Sequence, residues 1–257
     1  MTLRRFDELT REALRERTGD LVVVPLGATE QHGEHLPVMT DAAIITHLAE
    51  RAGEIAGERI DVLIAPTVRV GISGHHVPFG GTLTVGSETF IRVLVDLVSA
   101  LRTQGFSRSL FVNGHGGNDA AMRVAVERLA VTATGGESTA ALSYWAFAGD
   151  AVGHRFPTPG HAGGFETSAM LALRPELVGA VPTGPLVQFD LATDVVTGLH
   201  DVRPEAWRSS AGVTDNAAGA DAKAGAADLE QIASRIADAM VEQVARLDAA
   251  RRTGESR

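Results

Sequence analysis

Apolar residues along this chain fall into two kinds of run. Four short blocks, LVVVPLG (21–27), DVLIAPTV (61–68), SLFVNG (109–114) and TAALSYWAF (139–147), are nearly continuous. Such blocks predict strands buried on both faces of a parallel sheet. Between them the apolar positions recur at helical spacing. Residues 5–17 place Phe6, Leu9 and Leu14 inward, and residues 41–58 align Ile44, Leu48, Ala52 and Ile55. Further helices are expected over 87–105, capped by Ser87 and ended at Gly105, and over 118–132, starting near Asn118. Another begins near Glu166 and stops before Pro175. The last runs from about 217 to 251 with Leu229, Ile232, Ile236, Met240, Val244 and Leu247 as its inner stripe. Residues 176–215 are punctuated by Pro and Gly and receive no element. No repeat or linker is visible, so residues 1–257 read as one domain. Strand and helix in alternation predict an α/β fold with a mostly parallel sheet covered on both faces.

In such sheets ligands bind beyond the carboxyl ends of the strands. Each predicted strand here is followed by a loop rich in His or Gly: 27–41, 69–86, 113–118 and 146–166. Seven of the nine histidines (His32, His35, His75, His76, His115, His154 and His161) fall in those loops. Chance placement would not concentrate them in this way.

Composition narrows the chemistry. The chain contains no cysteine, which removes disulfides, thiolate ligands and Cys nucleophiles and suits a cytoplasmic protein. A net charge of −9 without a basic cluster argues against nucleic acid as a partner. No apolar run approaches the roughly 18–20 residues that span a bilayer. The two early arginines are not followed by the apolar segment of a secretory signal. A metal site would have to be built from His, Asp and Glu, a donor set for Zn, Mn or Fe(II).

The stretch GATEQHGEHLPVMTD (27–41) gathers Glu30, His32, Glu34, His35 and Asp41. In an extended segment Glu30 and His32 point the same way. Asp41 returns at the start of the next helix, where it could bridge two ions or simply serve as an N-cap. Asn113-Gly-His115-Gly-Gly-Asn118 is a sharp strand-to-helix turn that could project His115 into a site, hold a phosphate, or be a plain turn. Its spacing is neither that of a dinucleotide fingerprint nor of a P-loop. His161-Ala-Gly-Gly-Phe-Glu166-Thr-Ser adds another imidazole and another carboxylate, His161 being suited to proton transfer. His75 and His76 could position substrate or lie on the surface. His47 reads as structural or exposed, and His154 and His200 have no motif around them. Ser168 lacks the G-x-S-x-G elbow of a serine hydrolase.

Taken in order, G-A-T-E-Q-H-G-E-H-L-P…T-D, N-G-H-G-G-N, S-Y-W and H-A-G-G-F-E-T-S resemble the creatininase family of metal-dependent amidohydrolases, over about residues 20–180. The resemblance implies a three-layer α/β/α sandwich, a two-metal site with Zn first and Mn or Fe as alternatives, and a homo-oligomer, hexameric as in creatininase. It implies that Glu30 and His32 each bind one ion, that Asp41 bridges them and that His115 joins Glu30 on its ion. It implies a hydroxide shared by the ions as nucleophile and His161 as the catalytic proton donor. His76, Trp145 and Phe165 would shape the substrate pocket. The family pattern also carries a Tyr and a metal-binding Glu after its N-G-H, where this chain has Gly116 and Gly117. Either Glu166 completes the second metal site or that site is weaker. F-G-G-T (79–82) replaces the usual F-P-G-T, and the aromatic lid residue of creatininase has no counterpart. These departures point away from creatinine and toward the formamide deformylase and mycofactocin-precursor peptidase branches. The expected substrate is a non-aromatic amide in a small molecule or short peptide. A non-catalytic metal- or ligand-binding protein on the same scaffold is the competing expectation.

Overall fold

The structure, a computed structural model, describes residues 3–148, 160–183, 208 and 210–253. Four parallel strands form the central sheet: β1 (Leu21–Leu26), β2 (Val62–Ile64), β3 (Arg108–Asn113) and β4 (Ser138–Ser143), in the order β2-β1-β3-β4. The helices described with both ends are α1 (Arg11–Arg15), α2 (Thr40–Ala56), α3 (Ser87–Thr103), α4 (Asp119–Val131), α5 (Gly164–Leu173) and α6 (Ala222–Thr253).

All six residues of β1 are buried, and they alternate between two cores. Leu21 and Val23 face a cluster filled by Ile44, Leu48, Met170, Ile232 and Met240, from α2, α5 and α6. Val22, Val24 and Leu26 face the opposite cluster, with Phe90, Leu94, Met122 and Leu129 from α3 and α4. The period-two geometry of a strand turns one unbroken apolar run into the middle layer of a sandwich. Each fully buried Leu, Val or Phe contributes about 1.5–3 kcal/mol through removal from water. Pro25 is tolerated inside this central strand because its backbone faces the side where β2 has already ended. Its carbonyl there accepts from the Val68 amide at 2.9 Å, and no ladder bond is lost.

Several predicted boundaries shift. Residues 5–17 divide into a 3-10 turn (Phe6–Glu8) and the short α1, and strand 61–68 contracts to β2. The fourth strand ends at Ser143, and the chain turns at Tyr144. Ser87 is the first residue of α3, with Gly86 at the cap. Asp41 is not the cap of α2: Met39 holds that position and Asp41 lies in the first turn. Asn118 precedes α4 without capping it through its side chain. His154, Pro157, Pro159 and His200 lie outside the described residues. No helix among the described residues is long and apolar enough to cross a membrane.

The connection from β1 to β2 runs through α2 on one face, and that from β2 to β3 through α3 on the other. The crevice between the carboxyl ends of β1 and β3 is therefore a topological switch point, where ligands of open α/β sheets bind.

Candidate metal centre

Both chains of residues leaving that crevice are held by close backbone packing. A Cβ at Gly27 would come within 2.7 Å of Ala42 Cα, so the loop after β1 lies directly on the start of α2. The Glu30 amide donates to Val38 O at 3.0 Å, and Gly33 adopts a left-handed φ of 64°, which folds the loop back. This brings Asp41, in the first turn of α2, beside Glu30 and His32. After β3, Asn113 Oδ1 accepts from the His115 amide at 3.1 Å. Asn118 ties three loops together: it accepts from the Ile72 amide (3.0 Å) and donates to Gly27 O (3.1 Å).

Glu30, His32, Asp41, His76, His115, His161 and Glu166 are all buried in one cluster. Three sets within it have ligand atoms close enough to share an ion: Glu30, Asp41 and His115; His32, Asp41 and Glu166; and Glu30, His32 and His161. Asp41 belongs to two sets, with Oδ1 3.2 Å from His32 Nε2 and Oδ2 3.1 Å from His115 Nδ1. His115 Nδ1 is also 3.3 Å from Glu30 Oε1, and His32 Nε2 is 3.7 Å from Glu166 Oε2. Both oxygens of Glu30 and Oδ2 of Asp41 are buried yet make no hydrogen bond. Uncompensated buried carboxylate oxygens are costly, and a cation is the group that satisfies several at once.

The imidazoles are oriented from outside. His32 Nδ1 meets Glu30 O at 3.0 Å, His115 Nε2 meets Ile72 O at 3.0 Å, and His161 Nε2 meets Gln31 O at 2.9 Å. A carbonyl can only accept, so each outer nitrogen bears a proton and each inner nitrogen is turned toward the carboxylates. This is the outer-sphere pattern of metal-binding histidines.

Electrostatics divides the histidines. Burial opposes charge on His32 and His115, but Asp41 and Glu166 overcome it at His32, whose pKa is raised well above normal. Glu30 and Asp41 overcome it at His115, raised to about 10. His32 and His115 in turn hold Asp41 below the usual carboxylate range against its burial. His161 is held well below normal by burial and by His32 and His76, and His76 is pushed down to about 2 by burial and its imidazole neighbours. Burial, with the neighbouring Asp41 charge, raises Glu166 against the pull of His32. Glu166 Oε2 also accepts from the Ala162 amide at 2.6 Å.

Gly117 has a steric reason to be glycine. A Cβ there would lie 2.1 Å from Ile72 O and 2.6 Å from His115 Nε2. An acid at 117 would need the Ile72 loop to move. Phe165 lies in the α2-side core, 1% exposed, its ring 5.6 Å from Tyr144 and nearly parallel to it. Trp145 packs against the same core, edge-on to Tyr144. His35 stands behind the cluster, its Nε2 2.9 Å from Thr167 Oγ1, and Glu34 is exposed. Ser168 is structural: its hydroxyl donates to Gly164 O and accepts from the Asp221 amide.

Two elements escaped the sequence reading. Residues 210–215 strap the site: the Thr214 amide donates to His161 O (3.1 Å) and Gln31 Nε2 donates to Gly212 O (2.8 Å). Asp215, in that strap, is buried with neither carboxylate oxygen bonded, packed against Gly163 and raised to about 7 by burial and Glu166. Gln31 lay within the quoted motif but carried no titratable group to draw attention. Asp215 had no pattern around it at all.

A family model described as Creatininase, creatinine amidohydrolase, matches residues 7–240. The chain is 38% identical over 162 residues to the mycofactocin precursor peptide peptidase of Mycobacterium ulcerans (strain Agy99), covering 61% of this chain and 60% of that protein's length. It is 30% identical over 249 residues to the creatinine amidohydrolase of Pseudomonas putida, covering 89% and 92%. A solved creatinine amidohydrolase (creatininase) superposes with a TM-score of 0.78 at 26% identity, covering 95% of this chain and 99% of the other. Other solved creatininases are described as a Mn form and as a Zn-Zn type.

Proposed function

The chain belongs to the creatininase family, and from that premise we propose that it is a divalent-metal-dependent amidohydrolase acting on a non-aromatic C–N amide bond. The observation that carries this reading is the set of three buried carboxylate oxygens without hydrogen bonds, surrounded by imidazoles aimed inward. Glu30, Asp41 and His115 would hold one ion, and His32, Asp41 and Glu166 the other, with Asp41 shared. Glu166 then supplies the carboxylate that Gly117 cannot. The His and carboxylate donors suit Zn first, with Mn or Fe as alternatives. Such ions lower the pKa of water and polarise an amide carbonyl.

His161 carries the proton. Its inner Nδ1 is 3.6 Å from Glu30 Oε1, and its environment keeps it neutral. It can accept the proton that attacking water releases as the C–O bond forms. It then returns that proton to the nitrogen as the C–N bond breaks, without which an amine is a poor leaving group. His76, Trp145 and Phe165 are the residues assigned to shaping the substrate's surroundings.

A second, finer reading places the amide in a short precursor peptide. The similarity to mycofactocin precursor peptide peptidases supports it. So do three exposed apolar residues, Val38, Val77 and Leu83, on the loops that carry the site. A single domain, a homo-oligomer (hexameric by family resemblance) and a cytoplasmic setting without nucleic-acid or membrane partners complete the proposal.

The test is a metal-replete activity screen over creatinine, N-formyl compounds and short peptides, with elemental analysis of the same samples. One to two equivalents of metal and cleavage in one class are expected. Protein that takes up no metal would sink the reading. Metal-loaded protein that cleaves nothing in the panel would favour the non-catalytic binding alternative.

A further inference from the structure

Four imidazoles turn a ring nitrogen into the cluster, and one of them does so in the opposite sense. The orientation of Gln31 decides this. Its Oε1 accepts from the Gly33 amide at 2.9 Å, and its Nε2 donates to Gly212 O at 2.8 Å. A backbone N–H and a backbone carbonyl fix which end of the amide is which. The Nε2 end therefore faces His76 Nδ1, 2.8 Å away. An amide nitrogen only donates, so His76 Nδ1 accepts. The proton of neutral His76 then sits on Nε2, which points into the cluster, 3.4 Å from Glu30 Oε1. Gln31 Nε2 also lies 3.2 Å from His161 Nε2, but its two protons go to the shorter contacts with His76 Nδ1 and Gly212 O. The backbone carbonyl of the same Gln31 takes the outer proton of His161, so the proton of neutral His161 is on Nε2 and not on the inner Nδ1. The two rings stack at 4.2 Å between centroids, 25° from parallel.

One residue thus sets two adjacent histidines in opposite tautomers. His161 offers a lone pair and His76 offers an N–H. The cradle around Gln31 is tight: a Cβ at Gly212 would lie 2.6 Å from Gln31 Oε1, and Gly212 itself has a φ of 79°. A flip would set Oε1 against Gly212 O and the amide N–H against the Gly33 N–H.

We propose that His76 is a catalytic hydrogen-bond donor to the substrate oxygen that gains negative charge during attack, and that Gln31 is the positioning residue that fixes its tautomer. The proposal rests on the amidohydrolase reading of the same site. His76 gives up no proton in this role. Its Nε2–H strengthens a hydrogen bond as charge develops on the oxygen, as donors in an oxyanion hole do. His161 and His76 then divide the work: one moves a proton and the other holds one still.

The deciding experiment is nitrogen-15 NMR of the full chain labelled at histidine and loaded with zinc. His76 should show a proton bonded to Nε2 and an unprotonated Nδ1, and His161 a proton on Nε2 only. A proton on His76 Nδ1 overturns the proposal. Gln31→Glu replaces the donor with an acceptor at nearly constant shape, and should move the His76 proton to Nδ1. On the amide cleaved fastest in the screen, kcat should fall by about 10²–10³-fold, with KM within about threefold and zinc content unchanged. An unchanged kcat also overturns the proposal. Should Gln31→Glu fail to fold, His76→Asn, which keeps an N–H, should retain about tenfold more kcat than His76→Ala; equal losses count against the donor role. Zinc-free wild type, or zinc-loaded wild type without turnover, counts against the amidohydrolase reading, whereas the nitrogen spectra decide the tautomers by themselves.

Discussion

The two halves of the cluster use the same side chain for opposite ends. On the half carried by β1, α2 and the turn after β3, His32 and His115 face carboxylates, which favour positive charge there despite burial. On the half carried by residues 74–79, 160–166 and 210–215, His76 and His161 face other imidazoles, and burial keeps them neutral. Ring type and burial are nearly the same in both halves. The difference is the count of carboxylate oxygens around each inner nitrogen. A site that must hold cations and also move protons needs both environments within a few ångströms.

The sharpest way to break that division is Asp41→Ala, which removes the carboxylate common to both proposed ion sites. Metal content should fall below one equivalent and activity by about 10³-fold or more, since metal polarisation is worth several kcal/mol. Elemental analysis and turnover on the same sample check this. On the neutral half, His161→Ala should keep its metal and lose about 10²–10⁴-fold in kcat. Loss of metal in that variant would instead make His161 a ligand, in the set with Glu30 and His32.

The carboxylate-facing half also predicts a pH effect. In the metal-free protein the His115 pKa is raised to about 10 from 6.5. Its contribution to stability is full below 6.5 and is lost as pH rises toward 10. Metal binding displaces that proton and so strengthens over the same window. The gap in melting temperature between metal-loaded and metal-free protein should therefore widen from pH 6.5 to 9. A constant gap would deny that the imidazole and the ion compete for the same carboxylates.

Two smaller effects test the frame around the cluster. Gly117→Ala should destabilise by about 1–3 kcal/mol through its overlap with Ile72 O. Gly116→Ala, which meets nothing within 4 Å, should stay within about 0.5 kcal/mol. Denaturant titration of both separates a steric glycine from an incidental one. For Asp215, the folded pKa of about 7 exceeds the ordinary 3.8. The unfolded chain releases its proton first, so stability falls as pH climbs from about 4 to 7 and is flat above. Asp215→Asn does not titrate and should be more stable at pH 8 by about 1–2 kcal/mol, with the gain vanishing toward pH 4.

The layered fold was legible because burial imposes its own patterns. Continuous apolar blocks marked the strands, helical stripes marked the covering layers, and polar loops after each strand marked the edge that carries the chemistry. Glu30, His32, Asp41, His115, His161 and Glu166 were visible for the same reason: a buried ionisable group needs a partner, and loops crowded with such groups announce one. Residue types and order along the chain therefore determined the fold class, the family and the inventory of reactive groups. Only the tertiary structure decided which side each β1 residue faces, why Gly117 has no room for a side chain, and that a strap from residues 210–215 closes on His161. Above all, it decided which groups stand behind the rings of His32, His76, His115 and His161, carbonyls in three cases and the Gln31 amide in the fourth, because folding brings those groups together. A histidine reads the same in any sequence; the carbonyl or amide behind its ring makes it a lone pair or a donor.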